Sequence, residues 1–109
     1  MQEKVKAVVK MLEKAVVNDI IVYDMENITP FYDYCIVCSV NSSRQGNAAI
    51  NYVRKDASLI GLDVKGYSAS SESKWFLADL HSIVVHVFVG EEREKYNLDG
   101  IYGMQNMLK

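Results

Sequence analysis

Ile83-Val-Val-His-Val-Phe-Val89 is apolar on both of its alternating faces, with His86 its one polar side chain. A strand that can turn neither face to water belongs in the middle of a sheet, covered above and below. Just before it, Lys74 to Asp79 forms a second strand, and the short connection Leu80-His81-Ser82 predicts that the two pair as an antiparallel hairpin. Further upstream, Tyr34 to Ser39 reads as another strand, followed by Asn41-Ser-Ser-Arg-Gln45. Ser42 with Gln45 three residues on is a capping-box pattern, so a helix starts there. Its inward face is expected at Ala49, Tyr52, Val53, Ala57 and Ile60, and Gly61 closes it in the left-handed conformation. Leu62 to Tyr67 then makes a short strand that completes a right-handed parallel crossover with Tyr34 to Ser39.

The flanks complete the pattern. Val5, Val8, Val9, Leu12 and Val16 recur on one helical face, which predicts an amphipathic helix over residues 3 to 17. Asp19 to Asp24 is a first strand, ended by the turn-forming Asn27 to Pro30. Ser68 to Ser73 is a polar loop. From Gly90 onward a looser tail opens with Glu91, Glu92 and Glu94 and offers Tyr96, Leu98, Ile101, Tyr102, Met104 and Leu108 for packing. The fold class is α/β, a mixed sheet of about five strands with flanking helices.

A chain of 109 residues, half of them hydrophobic and a quarter charged, is expected to form one domain spanning residues 1–109. Its eleven aromatic residues and abundant Val and Ile exclude a disordered chain. No apolar run approaches the roughly 18 residues of a membrane span, and the N-terminus does not read as a signal peptide. Twelve Lys and Arg against 14 Asp and Glu leave a net charge of −2, so whole-chain attraction to nucleic acid is not expected and a basic protein partner suits it better.

Chemistry finds little support. Cys35 and Cys38 have C-x-x-C spacing but lie within a strand, where residues three apart point to opposite faces; the thiols diverge and read as buried small side chains. Nucleotidyl transfer would need clustered acids behind a Gly-rich phosphate cradle, yet Asp24 and Glu26 are the one such pair and no Gly precedes Gly46. His81 and His86 lack an obvious third metal ligand, and His86 reads as a hydrogen-bonded structural residue. No nucleophile with a supporting base stands out, so the chain is expected to have no catalytic residues, no metal and no cofactor. The strand Lys74-Trp-Phe-Leu-Ala-Asp-Leu80 instead places Trp75, Leu77 and Asp79 on one face and Phe76, Ala78 and Leu80 on the other. Two readings stay open for the first set: packing under the N-terminal helix, or an exposed anchor with Asp79 aimed at a cation.

Taken together and in order, Asp33-Tyr-Cys-Ile-Val-Cys-Ser39, Asn41-Ser-Ser-Arg-Gln45, Trp75-Phe-Leu-Ala-Asp79, Ile83-Val-Val-His-Val-Phe88 and Glu92-Arg-Glu-Lys-Tyr-Asn-Leu98 resemble the ribosomal silencing factor, or Iojap, family. The resemblance covers about residues 3 to 102. It implies a nucleotidyltransferase-like fold without catalysis, cytoplasmic and able to form homodimers. It also implies binding to the large ribosomal subunit through its fourteenth large-subunit protein, blocking small-subunit joining when nutrients are short. Carried onto this chain, the family's contact face becomes Trp75, Leu77, Asp79 and His86, with Tyr34 and Arg44 at the strand-to-helix corner and Tyr96 and Leu98 in the tail. Ser42 and Gln45 match as well, but a helix cap already explains them. Departures from the family pattern fall at Val40, His81-Ser82, Lys95 and Ile101-Tyr102. The alternatives from other classes are a nucleotidyltransferase-like enzyme and a self-associating adaptor that never meets ribosomes.

Overall fold

The computed structural model describes residues 3–62, 64, 66–68, 73–103, 107 and 108, with the backbone alone for Tyr67 and Ser68. In chain order the elements are α1 (Glu3–Lys14), β1 (Asn18–Asp24), β2 (Tyr34–Val40), α2 (Ser43–Leu59), β3 (Gly66–Ser68), β4 (Trp75–Asp79), β5 (Ile83–Val89), α3 (Glu92–Tyr96) and α4 (Leu98–Tyr102). The strands lie in the order β1-β2-β5-β4-β3. Four of them, five to seven residues long, make the body of the sheet, and three-residue β3 is added at one edge. β2 and β5 run parallel, whereas β1 with β2, β4 with β5 and β3 with β4 are antiparallel, so the sheet is mixed.

β5 is central, as its two apolar faces require, and Ile83 to Phe88 are all buried. The hairpin with β4 forms as read, closed by Leu80 N–H donating to Ile83 O at 2.8 Å. The crossover keeps its parallel sense, since the pairings through β5 and β4 leave β3 parallel to β2, but it reaches further across the sheet. The strand after α2 is Gly66–Ser68, and it pairs with β4 at the far edge instead of lying beside β2. β2 takes β5 as its parallel neighbour, because a strand apolar on both faces is stable only where both are covered, whereas a short Gly-containing segment suits an edge. Asp63, Lys65 and residues 69–72 of the expected loop lie outside the described residues.

α1 and α2 cover one face of the sheet. Val5, Val8, Val9, Met11 and Leu12 of α1 pack with Ile50, Val53 and Ala57 of α2 onto Val22, Ile36, Cys38, Phe76, Ala78, Leu80, Ile83, Val85 and Val87. α1 ends at Lys14, short of the expected residue 17, because Val16 adopts a left-handed φ of 60°. Its N–H then meets Glu13 O at 3.1 Å, and Val17 N–H meets Leu12 O at 3.4 Å. Val16 is consequently 71% exposed and not part of the apolar stripe. The α2 caps hold as read: Ser42 Oγ accepts from Gln45 N–H at 3.1 Å, and left-handed Gly61 precedes the buried Leu62, whose N–H meets Ala57 O at 2.9 Å. Its buried stripe runs through Gly46, Ala49, Ile50, Val53 and Ala57 at helical spacing, whereas Ile60, at the C-cap beyond the last turn, is exposed.

The opposite face carries a smaller cluster of Tyr23, Met25, Cys35, Val37, Phe88 and Tyr102, built where α3 and α4 fold back over the sheet. Cys35 thus belongs to this cluster and Cys38 to the helix-side core; both are free and buried, with thiols pushed up to about 12 by burial. Asp24 Oδ1 accepts from Glu26 N–H at 2.9 Å, so that acidic pair shapes a turn. No helix among the described residues is long and apolar enough to cross a membrane.

Candidate functional site

The sheet face away from α1 and α2 is covered over β1 and β2 and left half-open over β4. Alternation along β4 sends Phe76, Ala78 and Leu80 into the helix-side core and leaves Trp75, Leu77 and Asp79 half-exposed on the other side. Trp75 and Leu77 therefore do not pack under the N-terminal helix; α1 lies across the sheet from them. Behind them β5 supplies the floor, with Phe88 opposite Trp75, His86 opposite Leu77 and Val84 opposite Asp79.

Trp75 is held from three sides. Its ring stacks on Phe88 with centroids 5.1 Å apart, lies 4.3 Å from that of Tyr96 at the end of α3, and stands 5.7 Å from that of His86. Its Nε1–H donates to His86 Nδ1 at 3.1 Å. An imidazole that accepts at Nδ1 carries its proton on Nε2. His86 is buried, and burial pushes its pKa down to about 4, so it is neutral near pH 7. Among the described residues Nε2 has no protein partner, and it is not among the polar atoms sealed from solvent without one.

Asp79 has two tasks. Its Oδ1 accepts from His81 N–H at 3.0 Å, which braces the hairpin turn, while the carboxylate stays half-exposed at the end of the face. Beside it a cleft of about 440 Å³ is lined by Pro30, Tyr32, Ser82 and the 84%-exposed Phe31.

The covered half of this face depends on Arg93, within the acidic run at the start of the tail. Its Nε donates to Asp99 Oδ2 at 2.9 Å and its Nη2 to Asp99 Oδ1 at 3.2 Å. Its Nη1 reaches Asp19 O at 2.7 Å and Ser39 Oγ at 3.0 Å, while Tyr23 Oη donates to Asp99 Oδ1 at 2.6 Å. Burial works against both charges, yet these contacts prevail, raising the pKa of Arg93 and lowering that of Asp99. The network ties α3 and α4 to β1 and β2 and leaves beside it a cleft of about 940 Å³ lined by Asn18, Asn41 and Glu94 among others. Among the described residues no group of three or more His, Cys, Asp or Glu side chains is placed to hold a metal ion.

Of the residues singled out in the sequence, the structure brings together Trp75, Leu77, Asp79, His86 and Tyr96. Leu98 packs, partly buried, against the Tyr23–Tyr102 cluster beside them. Tyr34 and Arg44 are not joined to this group: Tyr34 packs partly buried into the helix-side core, and Arg44 is exposed in the first turn of α2 on the same side. Phe88, the floor under Trp75, and the Arg93–Asp99–Tyr23 network were not anticipated. A lone Arg within Glu91-Glu-Arg-Glu94 was the available sign of the latter.

Residues 1–109 match the family described as ribosomal silencing factor during starvation. The chain is 38% identical over 86 residues to the ribosomal silencing factor of Bacillus subtilis, covering 79% of this chain and 73% of that protein. It is 29% identical over 102 residues to the one of Halalkalibacterium halodurans, covering 94% and 87%. Among solved structures, a Chromobacterium violaceum protein superposes with a TM-score of 0.88 at 30% identity, covering 94% of this chain and 88% of that one.

Proposed function

Because the chain belongs to the ribosomal silencing factor family, we propose that it represses translation in the cytoplasm by docking on the large ribosomal subunit and excluding the small one. The observation that carries this reading is the half-open face of β4, where Trp75, Leu77 and Asp79 stand on a rigid sheet with Tyr96 and His86 beside them. Aromatic anchors fixed on strands lose little side-chain entropy on binding and are the residues that dominate interface energetics. The partner on the subunit is its fourteenth large-subunit protein. A net charge of −2 and a half-exposed carboxylate at Asp79 suit a basic protein, and charge steers the encounter while the buried aromatic surface holds the complex.

No bond is made or broken in this mechanism. Occupancy of one surface excludes the other subunit, so repression follows the factor's concentration relative to its dissociation constant. The test is gradient sedimentation of purified protein with isolated large subunits, followed by addition of small subunits. Co-migration with large subunits and a reduced yield of joined ribosomes is the expected result. Protein left at the top of the gradient with joining unaffected would overturn it, and would bring forward a nucleotidyltransferase-like enzyme or a self-associating adaptor.

A further inference from the structure

We propose that Trp75 is a positioning residue: its Nε1–H locks His86 in the tautomer protonated at Nε2, so the docking face presents a single imidazole N–H to a neutral carbonyl oxygen of the protein partner. The inference rests on the docking reading above and names the chemistry that its surface recognises.

Three observations lead to it. First, the 3.1 Å bond from Trp75 Nε1 to His86 Nδ1 runs diagonally across the hairpin, since Trp75 stands opposite Phe88 and His86 opposite Leu77. Indole nitrogen only donates, so Nδ1 must accept, and the remaining proton sits on Nε2. The stacking on Phe88 and Tyr96 holds the indole in place, which makes this choice of tautomer a property of the fold. Second, Nε2 has no partner among the described residues and is not sealed off. In the free protein that N–H is open to solvent water. A partner that covers Trp75 and Leu77 removes that water, and an N–H covered without an acceptor is penalised, so the site discriminates by what it meets there. Third, the charge of the surroundings selects the kind of acceptor. Asp79 lies on the same face, one alternation beyond the Leu77 that stands opposite His86. A partner carboxylate placed over His86 would be repelled by it, whereas a backbone or amide carbonyl would not, and a cation next to that carbonyl would be attracted to Asp79.

The tautomer is read directly from the ¹⁵N shifts and long-range ¹H–¹⁵N couplings of the His86 ring in the free protein, and binding is read by sedimentation with large subunits. Wild type is expected to show the Nε2–H form. Trp75→Phe keeps a ring for Phe88 and Tyr96 but frees Nδ1, so a mixture of tautomers is expected and binding should fall several-fold, about fivefold. His86→Gln places an amide donor near the Nε2 position and should bind within about threefold of wild type, whereas His86→Leu, which offers no donor, should lose roughly tenfold. A cooperative melt in each variant separates these effects from unfolding. An Nδ1–H tautomer in the wild type overturns the positioning role. Unchanged binding by both Trp75→Phe and His86→Leu, alongside loss of binding in Leu77→Ala, overturns the carbonyl recognition while leaving the docking face standing. Failure of the wild type itself to bind large subunits overturns the docking reading and the recognition built on it, with the tautomer still decided by its spectrum.

Discussion

Gly46 lies so close to the ring of Phe76 that a Cβ on it would stand 2.4 Å from Cε2, well inside van der Waals contact. That approach lets the first turn of α2 settle on β4 and holds the strand whose next-door residue, Trp75, faces the other way. Gly46→Ala therefore forces the Phe76 ring aside within a filled core. A loss of about 1–3 kcal/mol is expected by chemical denaturation, with weakened subunit binding because β4 moves with the ring.

Trp75→Ala removes a half-exposed side chain, so most of the core survives it. The melt should stay cooperative with about 1–2 kcal/mol less stability, while sedimentation with large subunits should show roughly thirtyfold weaker binding, as for a central aromatic anchor. Loss of the cooperative melt would make the indole a structural residue.

Acid should weaken the fold through His86. Its pKa lies near 4 in the folded chain against an ordinary 6.5, so between those values the unfolded chain holds more protons. The stabilisation is complete above pH 6.5 and is lost as pH falls through 4, by up to about 1.4 kcal/mol per unit and about 3 kcal/mol in all. Asp99, held below the usual carboxylate range by Arg93 and Tyr23 against the opposing effect of burial, acts in the same direction at lower pH. Denaturant titrations of wild type and His86→Gln from pH 7 to 4 isolate the imidazole's share, and parallel curves for the two would refute it.

Arg93→Lys keeps the charge but cannot span Asp99, Asp19 O and Ser39 Oγ at once. A loss of about 1–3 kcal/mol is expected, with faster amide exchange across α3 and α4 as those helices detach from β1 and β2.

Val16 occupies a left-handed conformation that suits Gly or Asn, and it is too exposed to return packing energy. Val16→Asn should raise the melting temperature by about 4–8 °C, the equivalent of about 1 kcal/mol. His81, at φ 70° in the β4–β5 turn, offers a smaller gain as His81→Gly.

The elements most legible in the sequence were those specified by local pattern. β5 was legible because both of its faces are apolar, the α2 caps because Ser42, Gln45 and Gly61 stand at the required spacings, and the divergence of Cys35 and Cys38 because strand alternation demands it. What escaped depends on distant partners. Nothing local in Gly66-Tyr-Ser68 says that it pairs with Leu77 to Asp79 and not with β2. The alternation of β4 separated Trp75 from Phe76 but could not say which side α1 would cover. Nothing near Arg93 in the sequence identifies its acceptors Asp19 O and Ser39 Oγ, which come from far away in the chain. The candidate site was half legible for the same reason: Trp75, Leu77 and Asp79 share a strand, whereas the coverage by Tyr96 and the Phe88 floor required the fold.

β1 is an outer strand, yet its free side is not left bare. Met107 bridges to Tyr23, Leu108 N–H donates to Val22 O at 2.7 Å, and a register irregularity between Asn18 and Ile21 bends the other end. The chain thus closes one point of its own margin, at Val22 and Tyr23, with its own backbone. A stray extended peptide, or a neighbour's outer strand in a crowded solution, meets a Val22 carbonyl already taken by Leu108, and zipper-like growth past this point of the margin is blunted.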